Sequence, residues 1–272
     1  MFPKKLLSWI ENTEYMDIIL DGHCIWVNPN AIDYFRIDIH KNMNLWLNPR
    51  KSDWRYLSAN PNAIDIIMKY PKKIDWAGLS YNSHSCAVEM LFANPKKINW
   101  KHFSANTNPK VVKYLIENPK KINWIYFSEN ESAIDYLLQN LEKIDWFHFS
   151  GNPNAIDYLL KHPKKINWRS FSLNPNAVPY LVENEAKINW RYLSQNPNAL
   201  FLLERNKDKI YWTEFASNPA IFTYDYGAMK RSNISLKDEI FAMALHPKRI
   251  FRDVNTYDDL EEMYRCYFSE DE

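Results

Sequence analysis

A 22-residue unit written over and over along the chain limits its possible folds more than any other feature. Residues 146–189 read WFHFSGNPNAIDYLLKHPKKIN and then WRSFSLNPNAVPYLVENEAKIN, two copies in register. The opening Trp recurs at positions 54, 76, 100, 124, 146, 168, 190 and 212, at spacings of 22, 24, 24, 22, 22, 22 and 22 residues. One such unit cannot bury its own apolar face. Stacked units bury a continuous core, so a fixed period in this range predicts a solenoid.

The unit itself predicts two short helices. Asp53, Asp75, Asn99, Asn123, Asp145, Asn167 and Asn189 stand immediately before Trp. A short polar side chain there accepts an otherwise unpaired N–H and starts a helix. This helix A runs about five or six residues, short enough to be partly 3₁₀. The N-P-N element then ends it and opens helix B, with Pro tolerated in the first turn. Either Asn can serve as the cap; the second, as in Asn154, has Asp157 three residues on, the spacing of a capping box. Helix B places Ala155, Ile156, Leu159 and Leu160 on one side. It ends before Pro163, because the residue preceding Pro is driven out of the α region. Two units carry two extra residues in the A–B turn, NSHSCA at 82–87 and NTNPKV at 106–111. There the helices are expected unchanged and the turn protruding.

The expectation is an all-α solenoid of about ten 22–24-residue repeats, elongated, with a helical cap at each end. It forms one domain over 1–272: an N-terminal cap at 1–27, a diverged repeat at 28–53, regular repeats at 54–217, and a degenerate repeat with C-terminal cap at 218–272. Helices are expected from Ser235 to His246 and over 257–268.

Composition narrows the class. The net charge of +1 argues against a protein devoted to wrapping nucleic acid. Three widely spaced cysteines imply no disulfide framework and suit a reducing intracellular compartment. The N-terminus has no apolar core of a secretory signal, and no run of 18 apolar residues would span a membrane. There is no phosphate-binding glycine loop, no nucleophile elbow and no HExxH. His23-Cys24 and His84-Ser-Cys86 lack zinc spacing and a second pair. No catalytic, cofactor-binding or metal residue is therefore assigned.

The invariant columns of the repeat read as packing. Trp fills the space between helix layers, its N–H expected to find a carbonyl. The first Asn of N-P-N, from Asn60 to Asn218, offers two donors and one acceptor and suits a ladder tying successive turns. The Ser two positions earlier suits a local backbone bond. Lys72-Lys73, Lys96-Lys97, Lys120-Lys121 and Lys164-Lys165, with single Lys at 143, 187 and 209, would stack into a basic stripe. It is either a solvated edge or a contact for nucleic acid or an acidic partner. The columns that vary are the two after Trp. They hold Arg55, Tyr56, Lys101, His102, Tyr126, Phe147, His148, Arg169, Arg191 and Tyr192, residue types favoured at binding hot spots.

Across residues 28–251 the motifs NPNAIDYL, NPKKINW and AMALHPKRI resemble tandem repeats in proteins of giant DNA viruses of amoebae, the mimivirus-like group. A looser likeness is to the leucine-rich repeat variant, a superhelix of alternating α- and 3₁₀-helices. The resemblance implies a viral protein working in host cytoplasm or virion. The expected role is a non-catalytic protein–protein interaction scaffold, binding a host or viral protein through the variable helix A face. The alternatives are nucleic-acid or acidic-partner binding through the Lys stripe, and a structural virion component.

Overall fold

The computed structural model describes residues 4–11, 23–32, 53–224 and 226. By its contacts the chain divides into two compact units, Pro3–Thr223 and Tyr224–Glu272, with Met1 grouped in the first and Phe2 in the second. The first holds the repeats. In the second, only Tyr224 and Tyr226 are described, their rings 6.3 Å apart. The helices expected at 235–246 and 257–268, most of the diverged repeat and residues 12–22 lie outside the described residues.

The repeat from Trp146 shows how sequence becomes structure. Asp145 is extended, and its Oδ1 accepts the His148 N–H at 2.9 Å, starting helix A at Trp146–Gly151. The same bond is 2.7 Å at Asp75 but 3.2–3.4 Å at Asn99, Asn123, Asn167 and Asn189. A charged acceptor draws the donor closer. Asn152 then turns the chain, its Oδ1 accepting from Asn154 N–H at 3.0 Å. The first Asn of N-P-N is thus the cap. A 3₁₀ turn at Pro153–Ala155 leads into helix B at Ile156–Lys161, which stops at His162, before Pro163. A second 3₁₀ turn, Pro163–Lys165, and extended Ile166 return the chain to the next Trp.

The 3₁₀ geometry therefore lies in the two Pro-containing turns, while helix A is α-helical. Proline sets φ and lacks an N–H, and each turn is too short to close an α-helical ring. In the widened units helix B is altered: Ser85–Ala93 and Pro109–Glu117 are α-helical from their first residue. The two extra residues supply a second cap, His84 accepting from Cys86 N–H and Asn108 from Lys110 N–H.

Neighbouring repeats are joined by side chain–backbone bonds. Each ladder Asn is fully buried and donates from Nδ2 to two carbonyls of the repeat before it. Asn152, for example, reaches Ser128 O at 3.2 Å and Asn130 O at 3.0 Å. The buried Ser does more than the expected local bond. Ser150 Oγ donates to Trp146 O at 2.7 Å and accepts the Asn167 N–H of the next repeat at 2.9 Å. Between these polar columns lies the core: Phe149, Leu159, Phe171 and Leu181, and their described counterparts from Leu57 to Phe215, are buried.

The ladder has no end. Asn28, the first rung, donates to Ala216 O at 3.0 Å and Asn218 O at 2.7 Å, the positions it would occupy if it followed Asn218 in sequence. Asn60 in turn donates to Trp26 O and Asn28 O. Asn30 donates to Pro219 O, repeating the bond of Asn198 to Pro175 O. Strand β1 (Lys4–Leu6) pairs with strand β2 (Phe222–Tyr224), Leu7 N–H reaches Ile221 O, and Trp9 packs on Phe215. The unit Pro3–Thr223 is a solenoid closed into a ring of nine rungs, at Asn28, 60, 82, 106, 130, 152, 174, 196 and 218.

Closure corrects the elongated body expected from the repeat. In place of an N-terminal cap over the first repeat, the first residues join the last repeat to the first. The physical reason is curvature. A helices pack on one another, Asp53–Ala59 on Trp76–Tyr81, that on Trp100–Ser104, and Trp146–Gly151 on Trp168–Phe171, whereas no two of the described B helices approach as closely. A layered array that is tight on one side and open on the other bends toward the tight side. Helix A therefore lies inside the ring and helix B outside.

Candidate partner-binding site

The residues left over once the repeat has packed are those immediately after Trp on helix A. The column one residue after Trp holds Arg55, Lys101, Ile125, Arg169 and Arg191, all exposed, with Phe147 half-buried. Two residues after Trp stand Tyr56, His102, Tyr126, His148 and Tyr192, all half-buried. All ten residues singled out in the sequence lie on these inner helices. The curvature brings seven of them together, Lys101, His102, Tyr126, Phe147, His148, Arg169 and Tyr192. Phe147 and Tyr192 sit two repeats apart in sequence, yet their rings meet edge-on at 6.1 Å. The Arg169 guanidinium of the intervening repeat lies 5.0 Å from the Tyr192 ring and 6.0 Å from that of Phe147. On the other side of this cluster, His148 meets Tyr126 at 5.5 Å, Tyr126 meets His102 at 6.2 Å, and Lys101 lies 4.7 Å over Tyr126. The Arg55 side chain stands apart from this cluster, and its carbonyl backs onto Gly78.

Electrostatics on this face follow from crowding. Tyr81, five residues after its Trp, is 45% exposed, yet it lies among atoms of several converging repeats. That desolvation, with Glu129 and Glu131 from two rungs away, pushes its pKa above the ordinary tyrosine value. Burial also raises Glu129, against the opposing pull of His148. Partial burial would raise Asp145 too, but the His148 N–H, the His148 ring at 2.7 Å and the Phe147 N–H outweigh it, and its pKa lies below the usual value. Arg191 is tethered to Glu214, Nε and Nη2 each 2.6 Å from Oε1.

The Lys stripe divides into two columns with different roles. In three of the four pairs the second Lys lies over the Trp that opens its own repeat: Lys97 on Trp76, Lys121 on Trp100, Lys165 on Trp146, at 4.2–4.6 Å. The single lysines do the same, Lys143 on Trp124, Lys187 on Trp168 and Lys209 on Trp190. Tyr114, Tyr136 and Tyr158 stack against Trp100, Trp124 and Trp146. These cations are held by ring quadrupoles. The first-position column, Lys72, Lys96, Lys120 and Lys164, is free of this role, as is Lys73, and that column is broken by Glu142, Ala186 and Asp208. The indole-to-carbonyl bond expected of the Trp column does not form at Trp54 or from Trp76 to Trp190, and at Trp54 Nε1 is buried without a partner.

Among the described residues no three His, Cys, Asp or Glu gather as a metal site would require, and no helix is long and apolar enough to cross a membrane. His84 is engaged as a helix cap beside exposed Cys86. No protein-family model, no curated protein and no solved structure matches the chain. The side chains themselves must carry the functional conclusion.

Proposed function

We propose that the chain is a non-catalytic binding ring that holds a segment of a protein partner on the inner face of its A helices. The observation behind this is a division of labour. The invariant Asn, Ser and core side chains are used in joining repeats, whereas the variable columns converge as aromatic and cationic groups on one face. Such groups dominate protein interfaces.

The partner's form follows from the dimensions. Eight A helices and the 3₁₀ turn His23–Val27, which holds the ninth place, spaced about 8–10 Å apart, would lie on a circle of roughly 11–14 Å radius. Side chains extend about 5–6 Å from each helix axis. An extended segment or loop suits such a circle; a folded domain does not. In keeping with the repeats it resembles, the ring would serve a giant virus in the host cytoplasm or in the virion, with a host or a viral protein as partner. Nucleic-acid binding is the weaker reading, because half of the Lys stripe is engaged with Trp.

A photo-crosslinking amino acid at Ile125, exposed on helix A, should join the chain to its partner. The same group at Lys161, exposed at the end of an outer helix, should not. Crosslinks from 161 alone would reject the inner-face assignment.

A further inference from the structure

We infer that the inner face carries a carboxylate-binding cleft built around Arg169 and Arg191, and that the segment it takes is an extended acidic peptide. This rests on the binding-ring reading above and specifies its partner. The cleft, about 380 Å³, is lined by residues of two successive repeats, among them Arg169, Asn189, Trp190, Arg191, Tyr192 and Tyr211.

Both guanidinium groups are oriented before any ligand arrives. Arg169 is flanked by the Tyr192 and Phe147 rings. A guanidinium held against a ring still has N–H groups to offer an acceptor. Among the described residues no carboxylate pairs with it. Arg191 is fixed through Nε and Nη2 to Glu214, whose side chain is only 16% exposed. Its other N–H groups are not used in that pair. Two pre-set forks suit planar carboxylates, and little side-chain freedom remains to be lost on binding.

The surroundings select for negative charge. The first column after Trp carries Arg55, Lys101, Arg169 and Arg191 and no acid. Of the acids near it, Glu214 is already paired and Glu129 is crowded beside His148. Single-stranded nucleic acid would also answer to positive charge, but it needs open aromatic faces for its bases. Here Arg169 covers Tyr192 and Lys101 covers Tyr126. An extended chain rises about 3.3 Å per residue, and repeats lie about 8–10 Å apart. Carboxylates about three residues apart would therefore meet successive repeats.

The test is fluorescence anisotropy of the full chain with labelled (Glu-Ser-Ser)₄, with (Lys-Ser-Ser)₄ and a dodecathymidylate as alternative probes. The acidic peptide should bind best. Arg169→Glu should weaken it by at least about tenfold and Arg169→Lys by roughly threefold, since Lys keeps the charge but not the fork. Lys72→Glu, on the outer stripe, should leave it unchanged. Should Arg169→Glu fail to fold by circular dichroism, Arg169→Gln replaces it, again with a clear loss expected. The proposal is overturned by absence of wild-type binding, by equal binding to Arg169→Glu, by equal loss in Lys72→Glu, or by tighter binding of the thymidylate. If these fail while Ile125 still crosslinks to a partner, the acidic-peptide assignment is wrong and the binding ring stands. If Ile125 does not crosslink, the binding ring itself is at fault.

Discussion

The Asn152 amide is fully used: two hydrogens donated to the preceding repeat, one oxygen accepting within its own turn. Asn152→Ala would leave two buried carbonyls and one N–H without that partner, so unfolding free energy should fall by about 1–3 kcal/mol, read by urea denaturation. An unchanged midpoint would show the ladder to be incidental. This role was legible in the sequence, because an amide repeating in a turn has few other ways to spend three bonds. The second bond of Ser150 was not, since its partner Asn167 lies in the next repeat and only the three-dimensional stack brings it near. Asp145 supplies a pH test. Its folded pKa is depressed, so it stabilises the fold above the ordinary carboxylate range, and that contribution fades as pH falls through the folded pKa. Glu129, raised by burial, acts in the opposite sense in wild type and variant alike. Asp145→Asn, which copies the cap of neighbouring repeats, should therefore flatten the loss of melting temperature on acidification. Parallel curves for the two proteins would refute the assignment.

At the level of elements, the tight side of the array can be tested at one glycine. Replacing a helical Gly by Ala ordinarily stabilises by about 0.5–1 kcal/mol. At Gly78, on helix A, a Cβ would stand 2.1 Å from the Arg55 carbonyl oxygen of the preceding A helix. Backbone cannot rotate aside, so Gly78→Ala should destabilise, by roughly 1–3 kcal/mol or more. Gly151→Ala meets the Ser170 hydroxyl at 2.9 Å, and that side chain can turn away. Its cost should be clearly smaller. Thermal melts of the two variants decide; a stabilised Gly78→Ala would mean that the A helices are not in close contact. The helix starts at each Asp or Asn before Trp were readable from capping chemistry alone. The position of the 3₁₀ turns was not, because helix A is short for reasons of spacing and not of geometry. Nor did the sequence explain why Lys persists at 143, 187 and 209 while the residue before it changes. The Trp beneath each of those lysines supplies the reason.

For the whole repeat unit, the one property the repeat motif did not disclose is closure. A 22-residue motif states what each repeat does to its neighbour but not the small rotation between them, and it is that rotation, summed, which decides between a rod and a ring. The sequence held a hint in NPN at 28–30 and NPA at 218–220, half-repeats at the two ends of the array. The seam they form lacks the Ser hydroxyl, with Ala216 and Trp26 in its place, yet keeps both Asn bonds and adds the β1–β2 pair. Spin labels at Glu11 and Glu204 would read it: Lys207, a turn beyond 204, lies 5.2 Å over Trp9, so the labels should be within roughly 25 Å. An open array of eight steps would separate them by about 70–80 Å. Deleting one complete unit, residues 146–167, then probes closure itself. The cut joins Asp145 to Trp168, so the cap, the Asn rung and the core of the new junction are all of a kind already present. An open solenoid would lose only one repeat's share of stability. A ring must instead spread a full turn over eight rungs, raising the rotation at each junction from about 40° to about 45°. Packed interfaces resist such continuous deformation, and the seam, without its Ser ties, is where the strain should be released. The deletion variant should therefore lengthen the Glu11–Glu204 distance and unfold in two steps. A short distance retained, with a single transition lowered only modestly, would show that the ring tolerates eight repeats and that closure does not fix their number.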